Sequence, residues 1–588
     1  MSTTATRQRG ATFLVEPAPI GAVFTPERFT EEHRMIARTA EEFLTREVVP
    51  QQEALEHDPQ LNVPLLKRAG ELGLLAVDID EAHGGLGLDK VSSTIVAEAM
   101  GWCASFSVSH AAHVCIGTLP LLYFGTAEQK ARYLPRLASG EIIAAYALTE
   151  PGAGSDALAG RTTATLSPDG TEWILSGTKM WISNAGFADL FTVFAKIDGE
   201  HFSAFLVERG APGLSFGHEE RKMGIKGSST RAVNLDQVRI PVGNLLGARG
   251  QGGKIALNVL NVGRYKLGAG GIGGARVAMA AAVAYAKDRR QFGRPIAAFG
   301  AIRQKLAQMA TRIWAGDAMV YRTVGNIDRA LDGLTGSEAI LKALEEYAIE
   351  SSILKIVGSE SLCFVADEAV QVFGGNGFSA EYPVDRFYRD ARINRIFEGT
   401  NEINRLLVPG RLVRRALSGA LPLFDAAMAL LDEPRPEGRP SAEDKGYLGA
   451  EIRLVKGAKK ISLMLLGLAA QKFQAKLADQ QEVMGCCADA VMETYALESA
   501  LLRTQKKAAK DGEAAAAPFA MALKVFAEGA VSRIEAAARQ ALPTIESDDM
   551  LATCMEGVAR FTDRQPLATI PLRRSLATLT LDKNGYPF

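Results

Sequence analysis

The chain has 588 residues, of which 47% are hydrophobic and 23% are charged. This composition is typical of a soluble globular protein, and at roughly 100–200 residues per domain the length predicts three or four domains. Lys and Arg number 66 against 67 Asp and Glu, so the net charge of -1 provides no long-range attraction to nucleic acid.

Cysteine and histidine usage argues against a metal site. The six cysteines are scattered and form no C-x-x-C pair, which excludes the usual zinc clusters and a disulfide scaffold and fits a reducing compartment. Every histidine lies at or before His218, so no histidine base or ligand can come from the later part of the chain. Neither H-E-x-x-H nor the phosphate loop G-x-x-x-x-G-K-[ST] occurs. We predict no metal.

The first residues carry no clear targeting signal. The start, MSTTATRQRGATFLVEPAP, lacks the apolar core of a secretory signal and has no acidic residue before Glu16. A disordered tail is the favoured interpretation, and a transit peptide is the alternative. No apolar run approaches the roughly 20 residues that a membrane-spanning helix needs, so none is expected.

The predicted elements change character twice along the chain. Helical spacing of apolar residues predicts a helix over 31–51 that is closed by Pro50, and further helices over 63–77 and 127–141. Short β-rich runs separated by Gly, Pro, Asp or Asn then predict a β-barrel or sandwich. Long Ala-, Leu- and Met-rich helices follow, at 253–288, 297–327 and 336–368, and predict a bundle.

The predicted fold is therefore mainly α with a central β-barrel domain. A helical domain precedes the barrel, a four-helix bundle follows it, and an Ala-rich helical domain comes after a linker that is Pro/Glu-rich at 432–446. The predicted domains are an N-terminal tail (1–27), a helical domain (28–142), the barrel (143–251), the bundle (252–412), the linker (413–446) and the C-terminal helical domain (447–588).

One apparent nucleotide motif is rejected. GAGGIG at Gly268–Gly273 matches G-x-G-x-x-G, and Asp288 follows at about the spacing that a dinucleotide fold requires. Such a loop must follow a β-strand, whereas the preceding KIALNVLNVGRYKL is predicted to be helical. Close packing of helices through small residues explains these glycines better.

Two motifs of the barrel could face a planar ligand. YALTEPGAGSD (Tyr146–Asp156) leaves a strand and turns through glycines that allow close approach of the backbone to a ligand; an ordinary β-turn is the alternative. KMWISN places Trp181 and Ser183 on one strand face, which suits a planar polar ring, although a core or interface Trp is the commoner interpretation.

Two motifs of the bundle could bind phosphate. KDRRQFGRPI ends a helix with arginines, so Arg289 could bind a pyrophosphate and Phe292 an adenine or flavin edge, or the charges could simply complement the helix end. VQVFGGNGF is a glycine turn after a helix, either a plain cap or a backbone cradle for phosphate.

The stretch NRIFEGTNEI (Asn394–Ile403) places one carboxylate, Glu398, between an apolar pair and Gly399. It could be a solvated turn. It could also be a general base whose pKa is raised by burial beside Ile396 and Phe397, with Gly399 allowing the chain to turn so that the carboxylate faces the ligand.

Together and in this order, these motifs closely resemble the motif set of the flavin-dependent acyl-CoA dehydrogenases. The resemblance covers about residues 28–410. The additional helical domain resembles the very-long-chain branch, as do RKMGIKGSST and FGAIRQKLAQM, in which Gly300 stands where many short- and medium-chain members have Gln.

The resemblance implies α,β-dehydrogenation of a long-chain fatty acyl-CoA to trans-2-enoyl-CoA in β-oxidation. It assigns removal of the α-proton to Glu398 and acceptance of the β-hydride to N5 of FAD. Some relatives carry the base at the position held here by Gly263, which has no side chain to offer. The resemblance assigns substrate contacts to Ser155, Asn261, Arg264 and Phe397.

The resemblance also assigns the FAD contacts. On the barrel side these are Tyr146, Leu148, Thr149, Gly154, Ser155, Trp181 and Ser183. Those expected from a neighbouring subunit are Arg289, Gln291, Phe292, Gln371, Gly374 and Gly375, which implies a homodimer or larger assembly; Thr400 and Glu402 lie just past the base.

Two segments leave alternatives open. Small residues of Gly101–Gly117 could make room for a long acyl chain or serve tight helix packing. The basic amphipathic helix predicted at 451–477 could lie on an anionic membrane or pack on the bundle or a partner. In a bacterium we expect a cytoplasmic protein, peripheral to the inner membrane if 451–477 binds lipid, and in a eukaryote one on the matrix side of the mitochondrial membrane.

We expect electron-transferring flavoprotein as the acceptor and no nucleic acid as a partner. An acyl-CoA oxidase that uses oxygen and a non-catalytic assembly protein of the same fold are the alternatives.

Overall fold

The computed structural model describes residues 8–430 and 446–588. The predicted linker, 413–446, is described as far as residue 430, and most of its Pro/Glu-rich part, 432–446, lies outside the described residues. The chain begins with a helical layer whose first helix is capped by Thr30, which accepts a hydrogen bond from the His33 N–H. Its helices are α1 (Glu31–Phe43), α2 (Gln52–His57), α3 (Asn62–Glu71), α4 (Lys90–Met100), α5 (Ala104–Ala111), α6 (Leu119–Phe124) and α7 (Ala127–Ala138).

Residues 8–30, which precede α1, pack on the rest of the fold, so the expectation of a disordered tail is wrong for the part of it that the structure describes. Phe13 and Leu14 are buried, and the Phe13 ring packs on Tyr495, with 4.6 Å between ring centroids. The Tyr347 hydroxyl donates to the Gln8 carbonyl at 2.8 Å. Burial of apolar side chains in a groove of the helices therefore fixes a segment whose composition alone predicts a tail.

The middle region forms one eight-stranded sheet in the order β6-β7-β3-β2-β4-β5-β8, with β1 pairing parallel to β4. The prediction of a barrel is corrected here, because among the described residues the strand pairing does not close and the sheet is open. Its end strands, β6 and β8, have only three and two residues and do not pair with each other. The strands are β1 (Ala144–Ala147), β2 (Thr163–Leu166), β3 (Glu172–Ser183), β4 (Leu190–Ile197), β5 (His201–Glu208), β6 (Leu214–Phe216), β7 (Thr230–Pro241) and β8 (Leu245–Leu246).

The bundle follows, built around α8, α9 and α11 with α13 as the fourth helix. The helix predicted over 336–368 is interrupted at Tyr347, which divides it into α10 and α11. The elements are α8 (Gly252–Asp288), β9 (Arg290–Gln291), β10 (Arg294–Pro295), α9 (Gly300–Leu331), α10 (Ser337–Glu346), α11 (Ala348–Phe373), α12 (Pro383–Ala391), α13 (Asn401–Leu417) and α14 (Leu423–Ala429).

The glycines of GAGGIG lie inside α8, which confirms that they form no nucleotide loop. They let α8 approach its neighbours: a Cβ added at Gly268 would lie 2.6 Å from the Leu354 carbonyl oxygen, and one at Gly273 would lie 1.9 Å from that of Glu98. Only glycine allows such close contact of backbones.

The C-terminal helices pack on the bundle and share its core. The apolar face of the basic helix predicted at 451–477, here α15, is covered by its neighbours α16 and α17, with Leu465 and Ile461 fully buried. The helices are α15 (Gly449–Phe473), α16 (Gln481–Asp511), α17 (Glu513–Ile545), α18 (Asp548–Phe561) and α19 (Thr569–Asp582).

Within the described part of the chain, three helical stretches are long and apolar enough to cross a membrane by length and composition, contrary to the expectation of none. They are Ala104–Phe124, Gly252–Asp288 and Glu513–Ile545, and 67%, 61% and 44% of their most apolar windows are buried inside the fold.

Candidate active site

A cavity of about 440 Å³ opens where the N-terminal helices, the sheet, α8 and the segment before α13 meet. Its wall contains Glu398 and Phe397 together with Arg264 of α8. The two motifs that were predicted for the barrel, YALTEPGAGSD and KMWISN, line the same cavity. Their lining residues are Tyr146, Leu148, Thr149, Gly154, Ser155, Trp181 and Ser183. The fold thus brings together segments that are far apart in the chain, since Tyr146 and Glu398 are separated by 252 residues.

The segment Phe397–Thr400, here called the base loop, aims the carboxylate of Glu398 at α8. Glu398 and Gly399 both have left-handed backbones, with φ of 59° and 79°. The carboxylate lies against Gly263: a Cβ added there would be 2.8 Å from Glu398 Oε2 and 2.9 Å from Oε1. Gly263 therefore does more than lack a base, since its missing side chain is the space that the Glu398 carboxylate occupies.

The electrostatics of Glu398 suit a base that works near neutral pH. Burial raises the pKa of Glu398 to about 7, against the lowering effect of the Arg264 and Lys355 charges. Within the described residues, Glu398 Oε2 is buried without a hydrogen-bond partner. An uncompensated buried oxygen is available to accept a proton from a ligand.

The source of that burial differs in part from the prediction. Phe397 lines the cavity as expected, whereas the Ile396 side chain is 48% exposed and does not line it. Cys115 and Tyr146 line the same cavity, and burial, reinforced by the Glu398 charge, raises the pKa of the Cys115 thiol and of the Tyr146 hydroxyl. Residues distant in sequence therefore supply burial that the neighbouring apolar pair only partly provides.

Three buried side chains hold the backbone of the base loop. Arg264 Nε donates to the Glu398 carbonyl at 3.2 Å, and Lys355 Nζ donates to the Gly399 carbonyl at 2.7 Å. Asn404 Nδ2 also donates to the Gly399 carbonyl, at 2.8 Å. Of the three, Arg264 is predicted from the sequence and the other two are not; the signal available for Lys355 is a lone lysine inside the apolar run ILKIV.

The two barrel motifs are tied together beside the cavity. The Met180 N–H donates to the Thr149 carbonyl at 2.9 Å, and the fully buried Lys179 Nζ lies 2.6 Å from Glu150 Oε1. Trp181 has a left-handed backbone, with φ of 59°, and its side chain is 52% exposed. Within the described residues, the buried Tyr146 hydroxyl has no hydrogen-bond partner.

The residues predicted to contact FAD from a neighbouring subunit lie outside the cavity, on the surface of the chain. Gln371 in the last turn of α11 and the glycines that follow it, Gly374 and Gly375, lie next to the end of α8, where Asn376 Nδ2 donates to the Tyr285 hydroxyl at 2.9 Å. Arg289, Gln291 and Phe292 follow α8 directly and are exposed, with Phe292 at 91%. The two predicted segments thus neighbour each other, but one chain does not bring them to the cavity.

Three further predicted residues do not line the cavity. Thr400 caps α13, where it accepts a hydrogen bond from the Ile403 N–H at 3.2 Å. Asn261 is buried and accepts a hydrogen bond from Arg264 at 3.1 Å, so it orients the arginine. Glu402 lines a second cavity of about 870 Å³.

Small residues of Gly101–Gly117 line the cavity, which favours the first of the two alternatives for this segment, and a charged pair that was not expected lines it as well. Gly101, Ala104, Ser107, Ala111 and Ala112 are among its small lining residues. Asp78 and Lys266 also line it and form an ion pair, and Asp78 is shared with Lys90, whose Nζ lies 2.5 Å from Asp78 Oδ1.

Comparison with known proteins identifies the family of this chain. Four family descriptions match: "Acyl-CoA dehydrogenase, N-terminal domain" over 30–141, "Acyl-CoA dehydrogenase, middle domain" over 145–238, and "Acyl-CoA dehydrogenase, C-terminal domain" over 250–413 and, in a second form, over 457–560. The chain belongs to the acyl-CoA dehydrogenase family.

The similar proteins include full-length and shorter matches. A probable acyl-CoA dehydrogenase of Bacillus subtilis (strain 168) is 48% identical over 98% of both chains. The human very long-chain specific acyl-CoA dehydrogenase is 43% identical over 58% of this chain and 51% of its own length. The crystal structure of an acyl-CoA dehydrogenase from Bacillus anthracis, complexed with FAD, is 48% identical with a TM-score of 0.95 over 99% and 100% of the two chains. The predicted family, enzyme class and cofactor are confirmed at this level.

Proposed function

We propose that the chain catalyses the FAD-dependent α,β-dehydrogenation of long-chain fatty acyl-CoA to trans-2-enoyl-CoA. The observation that carries this proposal is the Glu398 carboxylate, whose buried Oε2 has no hydrogen-bond partner among the described residues and which lies in a cavity that the expected flavin-contacting motifs also line. The family supports the reaction class, while the chain length and the acceptor are our proposals.

Glu398 removes the α-proton of the bound thioester. A base is most effective when its pKa is near the working pH, and burial brings the pKa of Glu398 to about 7. Below that pH the carboxylate is protonated and cannot accept the proton, so we expect the reaction to slow as the pH falls through 7.

The backbone of the same residue can stabilise the enolate that forms. Among the described residues, the Glu398 N–H takes part in no backbone hydrogen bond. Because Arg264 and Lys355 bind the carbonyls of the base loop, this N–H has a fixed direction. A preorganised donor at a developing oxyanion is a large source of catalysis.

The residues that the sheet and its adjoining loops contribute to the cavity fit a flavin. The Trp181 ring is exposed at the cavity, the buried Tyr146 hydroxyl has no protein partner among the described residues, and a Cβ at Gly154 would meet nothing within 4 Å. Thr149, Ser155 and Ser183 add hydroxyls there, and Leu148 adds apolar surface. When bound, FAD supplies the acceptor for the β-hydride at its N5.

We assign the adenosine diphosphate end of FAD to the surface residues of a second copy, in line with the resemblance. Arg289 and Gln291 with Phe292 form one half of that surface, and Gln371, Gly374 and Gly375 form the other. Their distance from this chain's own cavity supports the proposal that the enzyme is at least a homodimer.

The small lining residues of Gly101–Gly117 leave space for a long acyl chain along α8. We propose electron-transferring flavoprotein as the acceptor. The apolar face of α15 is covered by other helices, which argues against membrane contact through 451–477. Its burial supports the alternative, packing within the protein. The cytoplasmic or matrix location stays a prediction.

The test is anaerobic reduction of the purified yellow protein by palmitoyl-CoA, followed as loss of the oxidised flavin absorbance. We expect bleaching, and then rapid reoxidation by electron-transferring flavoprotein but slow reoxidation by air. Equal rates with air would favour the oxidase. No bleaching by any acyl-CoA from four to twenty carbons would contradict the enzyme and favour an assembly protein.

A further inference from the structure

We propose that Lys355 is a positioning residue that fixes the base loop and stabilises the charged form of Glu398. The inference rests on the proposed function, in which Glu398 is the base. Lys355 lies near the start of α11, and its side chain is fully buried. A lysine is almost never fully buried unless its charge is paired or bound by hydrogen bonds.

Both hydrogen-bond partners of this ammonium belong to the base loop or to the start of α13. Lys355 Nζ lies 2.7 Å from the Gly399 carbonyl oxygen and 2.7 Å from Asn401 Oδ1. Hydrogen bonds from a charged donor are about twice as strong as neutral ones. One side chain of α11 therefore holds a turn that is 44 residues away in the chain.

This turn needs external support because of its backbone conformation. Glu398 has φ of 59°, a region that a residue with a side chain rarely adopts, and Gly399 follows at 79°. Such conformations persist when the surrounding structure determines them. The Gly399 carbonyl is bound by Lys355 and Asn404, so loss of Lys355 removes one of the two donors that fix it.

Asn401 transmits the same constraint to α13. It is fully buried, and its Nδ2 donates to Ser359 Oγ at 3.1 Å and to Glu360 Oε1 at 3.0 Å. Ser359 and Glu360 lie one turn after Lys355 on α11. Together they hold the beginning of α13 in register with α11, directly after the base loop.

The ammonium also acts on the base through its charge. Lys355 lowers the pKa of Glu398, as Arg264 does, while burial raises it. Among the described residues, the other ionisable groups that share the cavity with Glu398 and Arg264 are Tyr146, Cys115, Asp78, His110 and Lys266. Lys355 itself has a pKa lowered to about 8 by burial, and Glu398, Glu402 and Glu360 oppose that shift. Removing its charge should therefore raise the pKa of Glu398.

The experiment compares the FAD-loaded wild type with Lys355→Met, which removes the charge and the donors, and Lys355→Gln, which keeps a donor and removes the charge. Lys305→Met is the matched control. Lys305 lies on α9, and its ammonium pairs with Glu368, which is on α11 like Lys355 but about 20 Å further along that helix. The Glu398 carboxyl is titrated by infrared difference spectroscopy without substrate, with Glu398→Gln identifying its band. The pH dependence of kcat and KM is then measured with palmitoyl-CoA.

We expect the pKa of Glu398 to rise in Lys355→Met and the acid limb of kcat to move to higher pH. At pH 7 we expect kcat to fall about 10- to 100-fold, the effect of losing a charged hydrogen bond, with KM changed much less. Lys355→Gln should show the same pKa rise with a smaller loss of kcat, and it replaces Lys355→Met if that variant does not fold. Lys305→Met should match the wild type.

An unchanged Glu398 titration in both Lys355 variants, with kcat equal to that of Lys305→Met, would overturn the inference and leave the proposed function intact. If the wild type is not reduced by any acyl-CoA, the proposed function fails, while the infrared titration still tests the effect of Lys355 on Glu398.

Discussion

At the scale of single residues, Glu398 combines a catalytic requirement with a cost in stability. Its pKa of about 7 in the folded chain lies above its ordinary value of 4.5, so the folded state binds the proton more tightly than the unfolded state between these pH values. Stability contributed by this group is therefore present at low pH and is lost as the pH rises through 7. The proposed role of Glu398 as the base would account for a group that costs stability at neutral pH.

The substitution Glu398→Gln separates the two effects. We expect turnover with palmitoyl-CoA to fall by about 10²–10⁴, the usual contribution of a general base, with the flavin retained. Because the amide carries no charge to bury, we expect the variant to be more stable than wild type by about 1–3 kcal/mol at pH 8 and little changed at pH 5. Flavin absorbance, steady-state turnover and denaturant unfolding at the two pH values measure this. Full activity would place the base elsewhere.

Gly263 offers a test of the space that the carboxylate occupies. In Gly263→Ala the new Cβ would lie 2.8 Å from Glu398 Oε2, so the carboxylate must move. We expect kcat to fall at least tenfold, because a displacement of about 1 Å can cost a factor of 100. Gly300→Ala, where a Cβ meets nothing within 4 Å, is the control and should leave kcat unchanged. Equal activity of both variants would contradict the contact.

At the scale of elements, one face of α8 both contacts the Glu398 carboxylate and lines the cavity proposed to hold the acyl chain. Gly263, Lys266, Leu267 and Gly270 recur at helical spacing and all line the cavity. Gly263 accommodates the carboxylate, whereas Lys266 with Asp78 places a charged pair in a wall that should otherwise suit an apolar chain. This pair is therefore positioned to influence which acyl chains bind.

We expect Lys266→Ala to shift the preference towards longer acyl chains. The change enlarges the cavity and removes a charge, while Asp78 keeps Lys90 as its partner. A buried methylene contributes about 0.8 kcal/mol, so kcat/KM for a chain two carbons longer than the wild-type optimum should rise about tenfold relative to the optimum. Lys90→Met removes a charge from the same Asp78 but does not line the cavity, so its profile should match that of the wild type. A shared profile for all three proteins would exclude the pair as a determinant.

Much of this element-scale arrangement follows from the sequence, and the exceptions have physical reasons. Helical periodicity predicted α8 and α9 closely, and the motif around Glu398 predicted a base with a raised pKa. The contacts of Lys355 with Gly399, and of Gly263 with the carboxylate, join positions 44 and 135 residues apart, so no local pattern encodes them. The exposure of Ile396 likewise depends on how α12 and α13 meet. Strand alternation predicts a sheet, but whether it closes depends on pairing between distant short strands.

At the scale of the whole molecule, buried charges join the C-terminal helices to the bundle. Arg503 of α16 is 1% exposed and pairs with Asp317 of α9 at 2.8 Å and with Glu27, before α1, at 2.7 Å. Arg322 of α9 pairs with Glu498 of α16 at 2.6 Å, and both are buried. These pairs connect three parts of the chain, so we expect the C-terminal helices to unfold together with the bundle.

The variant Arg503→Met tests whether the C-terminal helices and the bundle unfold together. Removing one partner of a buried ion pair costs about 3–5 kcal/mol, because Asp317 and Glu27 lose a charge that compensates their burial. We expect calorimetry of the flavin-loaded protein to show one transition at a clearly lower temperature, with flavin released in the same transition. Arg539→Met is the control, since its pair with Glu535 is half exposed and such pairs contribute about 0–1 kcal/mol. A separate early transition that leaves the flavin bound would show instead that the C-terminal helices unfold independently of the bundle.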